Sequence, residues 1–186
     1  MLLVDAHCHL HDPDLIGLID AAMDRARAAG IQTWITCAVT PDDWTRALAF
    51  AASHPGVFPA AGIHPWYGRP EHLDALNRFP EVLARGIAAV GECGLDLRIA
   101  DPPLDTQMPL FTRQVAIARE AGLPLNLHCR GAWAELLAVF RREPPSDPPG
   151  ILHNFNGSAQ VAAPFLDLGF GLSFGGVITR RNSTKL

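Results

Sequence analysis

Apolar residues along the chain gather in short, nearly continuous runs, which alternate with stretches of helical periodicity. Seven runs are long enough to form strands, and they cover residues 2–8, 31–39, 57–63, 87–93, 123–128, 150–153 and 170–174. Continuous apolar runs are typical of parallel strands that are buried on both faces. We therefore predict a parallel sheet whose successive strands are connected by helices.

The clearest helical stretch covers residues 104–121. Its apolar residues recur at helical spacing, at Met108, Phe111, Val115 and Ala118. In "RARAAGIQTW" and "AREAGLPLNL" an alanine-rich helix runs into a glycine and then directly into a strand. We expect Gly30 and Gly122 to end these helices in a left-handed conformation.

This alternation predicts an α/β fold of the (β/α)8 TIM-barrel type, incomplete here, with about seven strands and the C-terminal βα unit missing. A complete barrel has about 250 residues and rarely fewer than about 200, whereas this chain has 186. We interpret residues 1–186 as a single domain. An incomplete barrel leaves its first and last strands unpaired, so we expect marginal stability or association with another chain at that edge. The sequence does not fix the oligomeric state.

Composition narrows the class of protein. Apolar residues make up 48% of the chain, which excludes disorder. We find neither a span for a bilayer nor a signal peptide and expect a cytoplasmic protein with no membrane partner. The cysteines are scattered and form no CxxC pair, so buried thiols are favoured over disulfides.

The net charge of −4 argues against a broad basic surface for nucleic acid. It does not exclude a nucleic-acid enzyme, because bound divalent cations can supply local positive charge. Of the 15 basic residues, only Lys185 is a lysine.

Polar residues collect at the C-terminal ends of the predicted strands. The motifs are "VDAHCHL", "GIHPW", "GECGLD", "LHCR" and "LHNFNGS", and they carry His7, His9, His64, Glu92, His128, Arg130 and His153. These strand ends form one rim of a parallel barrel, where active sites are built. His7 and His9 point to the same face of the first strand, and Asp5 lies one step deeper, suited to fixing a histidine tautomer.

Imidazoles and a carboxylate are the usual ligands of zinc, manganese and similar cations. Four histidines and one glutamate exceed the needs of one ion with an open position, so two divalent ions that share Glu92 fit the ligand count better. Such a pair activates water and stabilises both the attacking and the leaving oxygens of a phosphoester.

Structural roles compete with this interpretation at several residues. Glu92 could be a hydrogen-bonded core carboxylate, His64 could shape its loop instead of contacting substrate, and Arg130 could pair with a neighbouring acid instead of a phosphate. Trp66 and Tyr67 could stack a base or cap the loop. Three further histidines, in loop or helix-start positions, are expected to be solvated: His11, His54 and His72.

In this order and spacing, the motifs "DAHCHL", "GIHPW", "GECGLD", "LNLHCRGAW" and "HNFNGS" resemble those of the TatD-like metal-dependent deoxyribonucleases, in the amidohydrolase-like TIM-barrel superfamily. The resemblance covers essentially the whole chain. It implies hydrolysis of phosphodiester bonds in DNA, single-stranded or at 3′ ends, with Mg²⁺, Zn²⁺ or Mn²⁺. It also implies one ion on His7 and His9, a second on His128 and His153, and Glu92 as the bridging and catalytic residue.

The family pattern continues into an eighth strand whose aspartate is a metal ligand, and no residue before 186 matches that motif. The alternative to a deoxyribonuclease is therefore a catalytically impaired metal-binding remnant or partner subunit. A phosphoesterase of the PHP class fits the later motifs poorly. An amide or lactone hydrolase that bridges its metals with a carboxylated lysine is excluded, because Glu92 occupies that position and no lysine precedes Lys185.

Overall fold

The computed structural model describes residues 2–179 and 181. Its seven strands form one parallel sheet in the order β1 to β7. The strands are β1 (Leu3–Cys8), β2 (Ile31–Ala38), β3 (Val57–Ala61), β4 (Ala89–Asp96), β5 (Leu125–Arg130), β6 (Gly150–Leu152) and β7 (Gly171–Leu172). Every sequential pair of strands is adjacent, so the sheet curls as part of a barrel. This confirms the predicted incomplete TIM-barrel type.

Seven α-helices within these described residues connect the strands. They are α1 (Ile19–Ala28), α2 (Pro41–Ser53), α3 (His72–Asn77), α4 (Phe79–Leu83), α5 (Leu104–Ala121), α6 (Trp133–Arg142) and α7 (Ala159–Asp167). Helix α5 has the predicted bounds, and it ends at Gly122 with a left-handed φ of 63°. Gly30 also has a positive φ, of 99°. Short 3₁₀ helices cover Pro13–Leu15, Pro65–Tyr67 and Gly176–Thr179.

Strands β4 and β5 extend further toward their C-terminal ends than the apolar runs predict. Their pairing continues through Gly94 with His128 to Asp96 with Arg130. The apolar pattern misses this extension because it carries polar side chains that the site requires. Glu92 therefore lies inside β4, where all eight residues are buried.

The main core lies between the sheet and the helices that cover its outer face. Its largest fully buried side chains include Phe79, Phe111, Phe140, Phe165 and Phe170. The cysteines carry free thiols, and three of the four are buried, with Cys8 half-buried. Burial raises the pKa of the Cys8 and Cys129 thiols to about 12, so they behave as apolar side chains.

The two edges of the sheet differ from its centre. Within residues 2–179 and 181, β1 pairs only with β2 and β7 only with β6. Leu2 and Val4 at the β1 edge are exposed, by 81% and 60%. Exposed apolar surface at this edge agrees with the expectation for an incomplete barrel, while marginal stability and association stay predictions.

Gly94 allows β4 to approach β5 at the position of His128. Its φ is +146°, and a Cβ at this position would overlap the backbone carbonyl oxygen of His128. Gly122, by contrast, has a φ of +63° and open space around a Cβ. Alanine at Gly122 therefore tests the cost of the backbone conformation, whereas alanine at Gly94 adds the cost of close packing.

We expect Gly94→Ala to destabilise the protein more than Gly122→Ala. A left-handed alanine costs roughly 1–2 kcal/mol, and at Gly94 overpacking adds about 1–3 kcal/mol. Urea unfolding of both variants measures the difference in the free energy of unfolding. Equal losses in the two variants would show that β5 moves aside at no cost.

Candidate metal centre

Glu92 is the centre of the histidine cluster. The residue is 4% exposed, and nitrogens of five histidines lie near its two carboxylate oxygens. The distances to Oε2 are 3.2 Å from His7 Nε2 and 3.5 Å from His9 Nε2, and those to Oε1 are 3.3 Å from His64 Nε2, 3.2 Å from His128 Nδ1 and 2.6 Å from His153 Nε2. The structure thus brings together all the histidines and the glutamate that the sequence pattern selected.

Each histidine reaches Glu92 from a different place on the rim. His7 belongs to β1 and His9 follows it, while His128 belongs to β5 and His153 follows β6. His64 precedes the 3₁₀ helix Pro65–Tyr67 and caps it, because its Nδ1 accepts a hydrogen bond of 3.0 Å from the Trp66 backbone N–H. The capping bond leaves Nε2 of His64 facing Glu92.

Groups behind the rings orient the first two histidines. His7 Nδ1 lies 2.8 Å from the side-chain oxygen of Asn126, and His9 Nδ1 lies 2.7 Å from the Cys37 carbonyl. The Asn126 amide donates to the carbonyl of Ala6 at 2.9 Å, which fixes its oxygen toward His7. With Nδ1 donating to these oxygens, Nε2 is the free ligand atom in each ring.

The role predicted for Asp5 is therefore wrong. Its carboxylate accepts the backbone N–H of His7 at 3.2 Å instead of orienting either ring. The register of β1 against β2 is irregular between Asp5 and Cys8. Asn126 takes the orienting role, although it lies 119 residues from His7 in sequence.

Sequence reasoning also missed Asp96, which is fully buried. Its Oδ2 lies 3.1 Å from His128 Nε2 and 2.6 Å from the indole nitrogen of Trp66. The spacing in "GECGLD" carried a signal, because Glu92 and Asp96 are four residues apart on one strand and so share a face.

Arg130 lies at the mouth of the site with a half-exposed side chain. Its Nη1 is 3.9 Å from Asp96 Oδ2, which makes a long ion pair. Pairing with a neighbouring acid was the structural alternative to a phosphate contact for this residue. The guanidinium keeps most of its donors free for a ligand.

The prediction that His11 is solvated is wrong. His11 is 7% exposed, and it lies between Thr36 Oγ1 at 2.7 Å and Asp43 Oδ2 at 3.0 Å. His54 and His72 are half-buried and not fully solvated. His54 stacks on Phe50 with ring centroids 3.8 Å apart.

The donor atoms suit divalent metal ions. In the part of the chain that the structure describes, two groups of side chains each hold their potential ligand atoms within 4.8 Å of one another: His7 with Glu92 and His153, and His64 with Glu92 and His128. Glu92 belongs to both groups, as expected for a shared carboxylate. These two groups differ from the expected ligand sets, in which His7 and His9 hold one ion and His128 and His153 hold the other. His153 is instead grouped with His7, and His64 joins His128.

The electrostatics of the cluster favour an ionised Glu92. Burial by itself would raise the pKa of this carboxyl, but hydrogen bonds from histidines, led by His128 and His153, hold it well below its usual value. Burial lowers the pKa of His9, His64 and His153. Burial also acts on His7, but its hydrogen bond and charge interaction with Glu92 outweigh it, so the pKa of His7 is raised.

The cluster lies at the bottom of a cavity of about 1290 Å³. The wall includes the aromatic rings of Trp66, Tyr67 and Phe174, together with Arg130 and Asn156. Trp66 is 41% and Tyr67 46% exposed. The cavity thus combines a charged floor with a partly aromatic rim.

Comparison with known proteins identifies the class. Residues 4–186 match the family "TatD related DNase". The chain is 33% identical over 187 residues to the metal-dependent hydrolase YjjV of Escherichia coli (strain K12), across 98% of this chain and 71% of that protein. The crystal structure of YjjV has a TM-score of 0.85 to this fold, with the same identity and coverage.

A second relative is named for its activity. The chain is 35% identical over 163 residues to the 3′-5′ ssDNA/RNA exonuclease TatD of Cronobacter turicensis, across 84% of this chain and 60% of that protein. The chain belongs to the TatD-related DNase family. Its relatives support a metal-dependent hydrolase of the nuclease type.

We expect the metal-free protein to lose stability as the pH falls from 7.5 to 5.5. Three histidines have lowered pKa values in the folded state, so below the ordinary value of 6.5 the unfolded chain binds more protons than the folded chain. The raised pKa of His7 has the opposite effect on the pH dependence of stability, but it concerns one histidine against three. Urea midpoints in EDTA measure the change.

Variants of two histidines provide the control for this measurement. His64→Gln should reduce the pH dependence, whereas His54→Gln, outside the cluster, should leave it unchanged. A urea midpoint that rises on acidification would contradict the expectation.

Proposed function

We propose that this chain hydrolyses phosphodiester bonds in DNA with two divalent metal ions bound at the Glu92 cluster. The observation that carries the proposal is the convergence of five histidine nitrogens on one buried carboxylate within 3.5 Å. Hydrogen bonding among core residues does not need so many imidazoles at one acceptor. Membership of the TatD-related DNase family favours the same reaction class.

We assign the metal ligands as His7, His9, Glu92, His128 and His153, with Glu92 shared by both ions. The ions would be Zn²⁺ or Mn²⁺ by ligand softness, or Mg²⁺ by resemblance to the family. Bound metal supplies an activated water and stabilises the charge that develops on the phosphoryl oxygens. The ionised state of Glu92, maintained by the histidines around it, makes it ready to bind cations at neutral pH.

Residues above the metal centre would bind the substrate. Arg130 would hold a non-bridging phosphate oxygen through its free guanidinium donors. His64 would contact the same phosphate from the floor of the cavity. Trp66 and Tyr67, exposed at the rim, would stack unpaired bases, which favours single-stranded DNA or frayed 3′ ends.

The charge distribution supports a local mode of binding. The chain has a net charge of −4, so affinity for DNA would come from the metal ions and the arginine at the mouth. The TatD exonuclease relative is named for single-stranded DNA and RNA, which is consistent with a preference for unpaired strands.

The setting of the protein is also part of this proposal. We place it in the cytoplasm as one domain of residues 1–186. Free thiols fit a reducing compartment. No helix in the described part of the chain is long and apolar enough to cross a membrane. Among the described residues β1 and β7 each pair on one side only, which favours association with another chain.

We expect Glu92→Ala to abolish metal binding and to lower the cleavage rate of single-stranded DNA by more than about 100-fold, the order lost with one strong transition-state contact. Removal of the shared carboxylate leaves the histidines without their common anionic partner. Metal content by mass spectrometry and exonuclease turnover provide the two readouts.

Glu120→Ala is the matched control, because this carboxylate is exposed at the C-terminal end of α5. Unchanged nuclease turnover in Glu92→Ala would refute the assignment. Stoichiometric metal in the native chain without turnover would instead favour a catalytically impaired metal-binding protein.

We expect Tyr67→Ala and Arg130→Ala to weaken substrate binding in different ways. Loss of base stacking costs about 1–3 kcal/mol, so Tyr67→Ala should raise KM for single-stranded DNA and spare an abasic strand of the same length. Arg130→Ala should impair both strands, because both carry phosphates. Equal effects of Tyr67→Ala on the two strands would rule out stacking.

A further inference from the structure

Asp96 is a buried carboxylate next to the metal centre, and the assigned ligand set does not use it. It lies on β4, on the same face as Glu92, and its side chain has no exposed surface. Its carboxylate has three N–H neighbours. They are Trp66 Nε1 at 2.6 Å, the Arg98 backbone N–H at 2.7 Å and His128 Nε2 at 3.1 Å.

A buried carboxylate with this many donors is an acceptor. Both oxygens of Asp96 accept from N–H groups that cannot themselves accept, Oδ2 from the Trp66 indole and Oδ1 from the Arg98 backbone. An ionised carboxylate cannot donate a hydrogen bond. If Nδ1 of a neutral His128 binds a metal ion, the ring proton is on Nε2, where the Asp96 carboxylate accepts it.

The other nitrogen of the same ring faces the metal centre. His128 Nδ1 lies 3.2 Å from Glu92 Oε1, and His128 belongs to the group of potential ligands formed with Glu92 and His64. In a neutral imidazole with Nε2 protonated, Nδ1 carries the lone pair that a metal ion needs.

We propose that Asp96 is a positioning residue that holds His128 in the Nε2–H tautomer and thereby presents Nδ1 to a divalent metal ion. This inference rests on the metal centre of the proposed function and not on its nuclease activity. His128 thus differs from His7 and His9, which face Glu92 through Nε2.

The position of Asp96 is itself fixed from behind. Its backbone N–H donates to Gln107 Oε1 at 2.8 Å, and Gln107 Nε2 donates to the Asp96 carbonyl at 3.0 Å. Gln107 is 2% exposed. The strand end therefore reaches the mouth with the carboxylate already oriented, and Trp66 on the rim shares its Oδ2 with His128.

The shared oxygen decides how the test variant is designed. In Asp96→Asn alone, an amide nitrogen turned toward His128 would also face the indole N–H of Trp66, so two hydrogen-bond donors would lie against each other. In a Trp66→Phe background that conflict is absent. There, the asparagine oxygen can keep the Arg98 N–H while the amide nitrogen donates to His128 Nε2, which moves the ring proton to Nδ1.

The experiment compares Trp66→Phe with the double variant Trp66→Phe/Asp96→Asn. In the zinc-loaded proteins, long-range ¹H–¹⁵N spectra should show His128 bound through Nδ1 with a proton on Nε2 in the single variant, and this pattern should be lost in the double variant. Zinc titration should show one of two equivalents weakened by about 10–100-fold in the double variant only, the usual effect of losing such a partner.

Asp43→Asn is the control, because Asp43 is also a buried carboxylate that contacts a histidine. Its partner, His11, does not face Glu92. We expect this variant to leave the zinc affinity unchanged. The same tautomer and the same zinc affinity in both Trp66→Phe proteins would overturn the proposal.

The spectrum of the native, zinc-loaded chain provides a test that needs no variant. A His128 bound to zinc through Nε2 would overturn the proposal, even if the double variant failed to fold. A native chain that binds zinc but cleaves no DNA would refute the proposed function and leave the tautomer result intact.

Discussion

The buried charge of Glu92 is the constraint on which the rest of the site depends. An ionised carboxylate in a protein interior costs several kcal/mol unless partners compensate it. Here the compensation comes from histidines on β1, on β5 and after β3 and β6, which meet only because the sheet curls. The curvature of the sheet and the ionisation of Glu92 therefore support each other.

The hydrogen-bond partners behind the histidine rings determine which ring nitrogen of each histidine faces Glu92. Asn126 and the Cys37 carbonyl turn Nε2 of His7 and His9 toward Glu92, whereas Asp96 turns Nδ1 of His128 toward it. These partners are all on strands, which hold position better than loops. Gly94 contributes to the same order, because its missing side chain lets β4 lie close against the backbone of His128.

The surroundings of the centre match a nuclease that acts on a local segment of substrate. The histidine and glutamate side chains that could bind a metal occupy the floor of the cavity, and Arg130 and exposed aromatic rings occupy its rim. A chain with net negative charge lacks the broad electrostatic footprint of a protein that wraps nucleic acid.

The sequence by itself determined the class of the fold and the composition of the cluster. Apolar runs identify parallel strands because burial on both faces leaves little room for polar residues. The histidines and Glu92 stand out because they follow such runs directly. The same reasoning placed α5 with its observed bounds, since a glycine ends it.

Only the tertiary structure decided which groups orient the ligands and which polar residues are buried. Asn126 lies 119 residues from His7, and Asp43 lies 32 residues from His11, so no local pattern predicts either pair. Asp96 extends a strand beyond its apolar run because pairing with β5 and three hydrogen bonds stabilise it there. Hydrophobic periodicity reports burial against an apolar core, whereas these residues are buried by polar partners that distant strands supply.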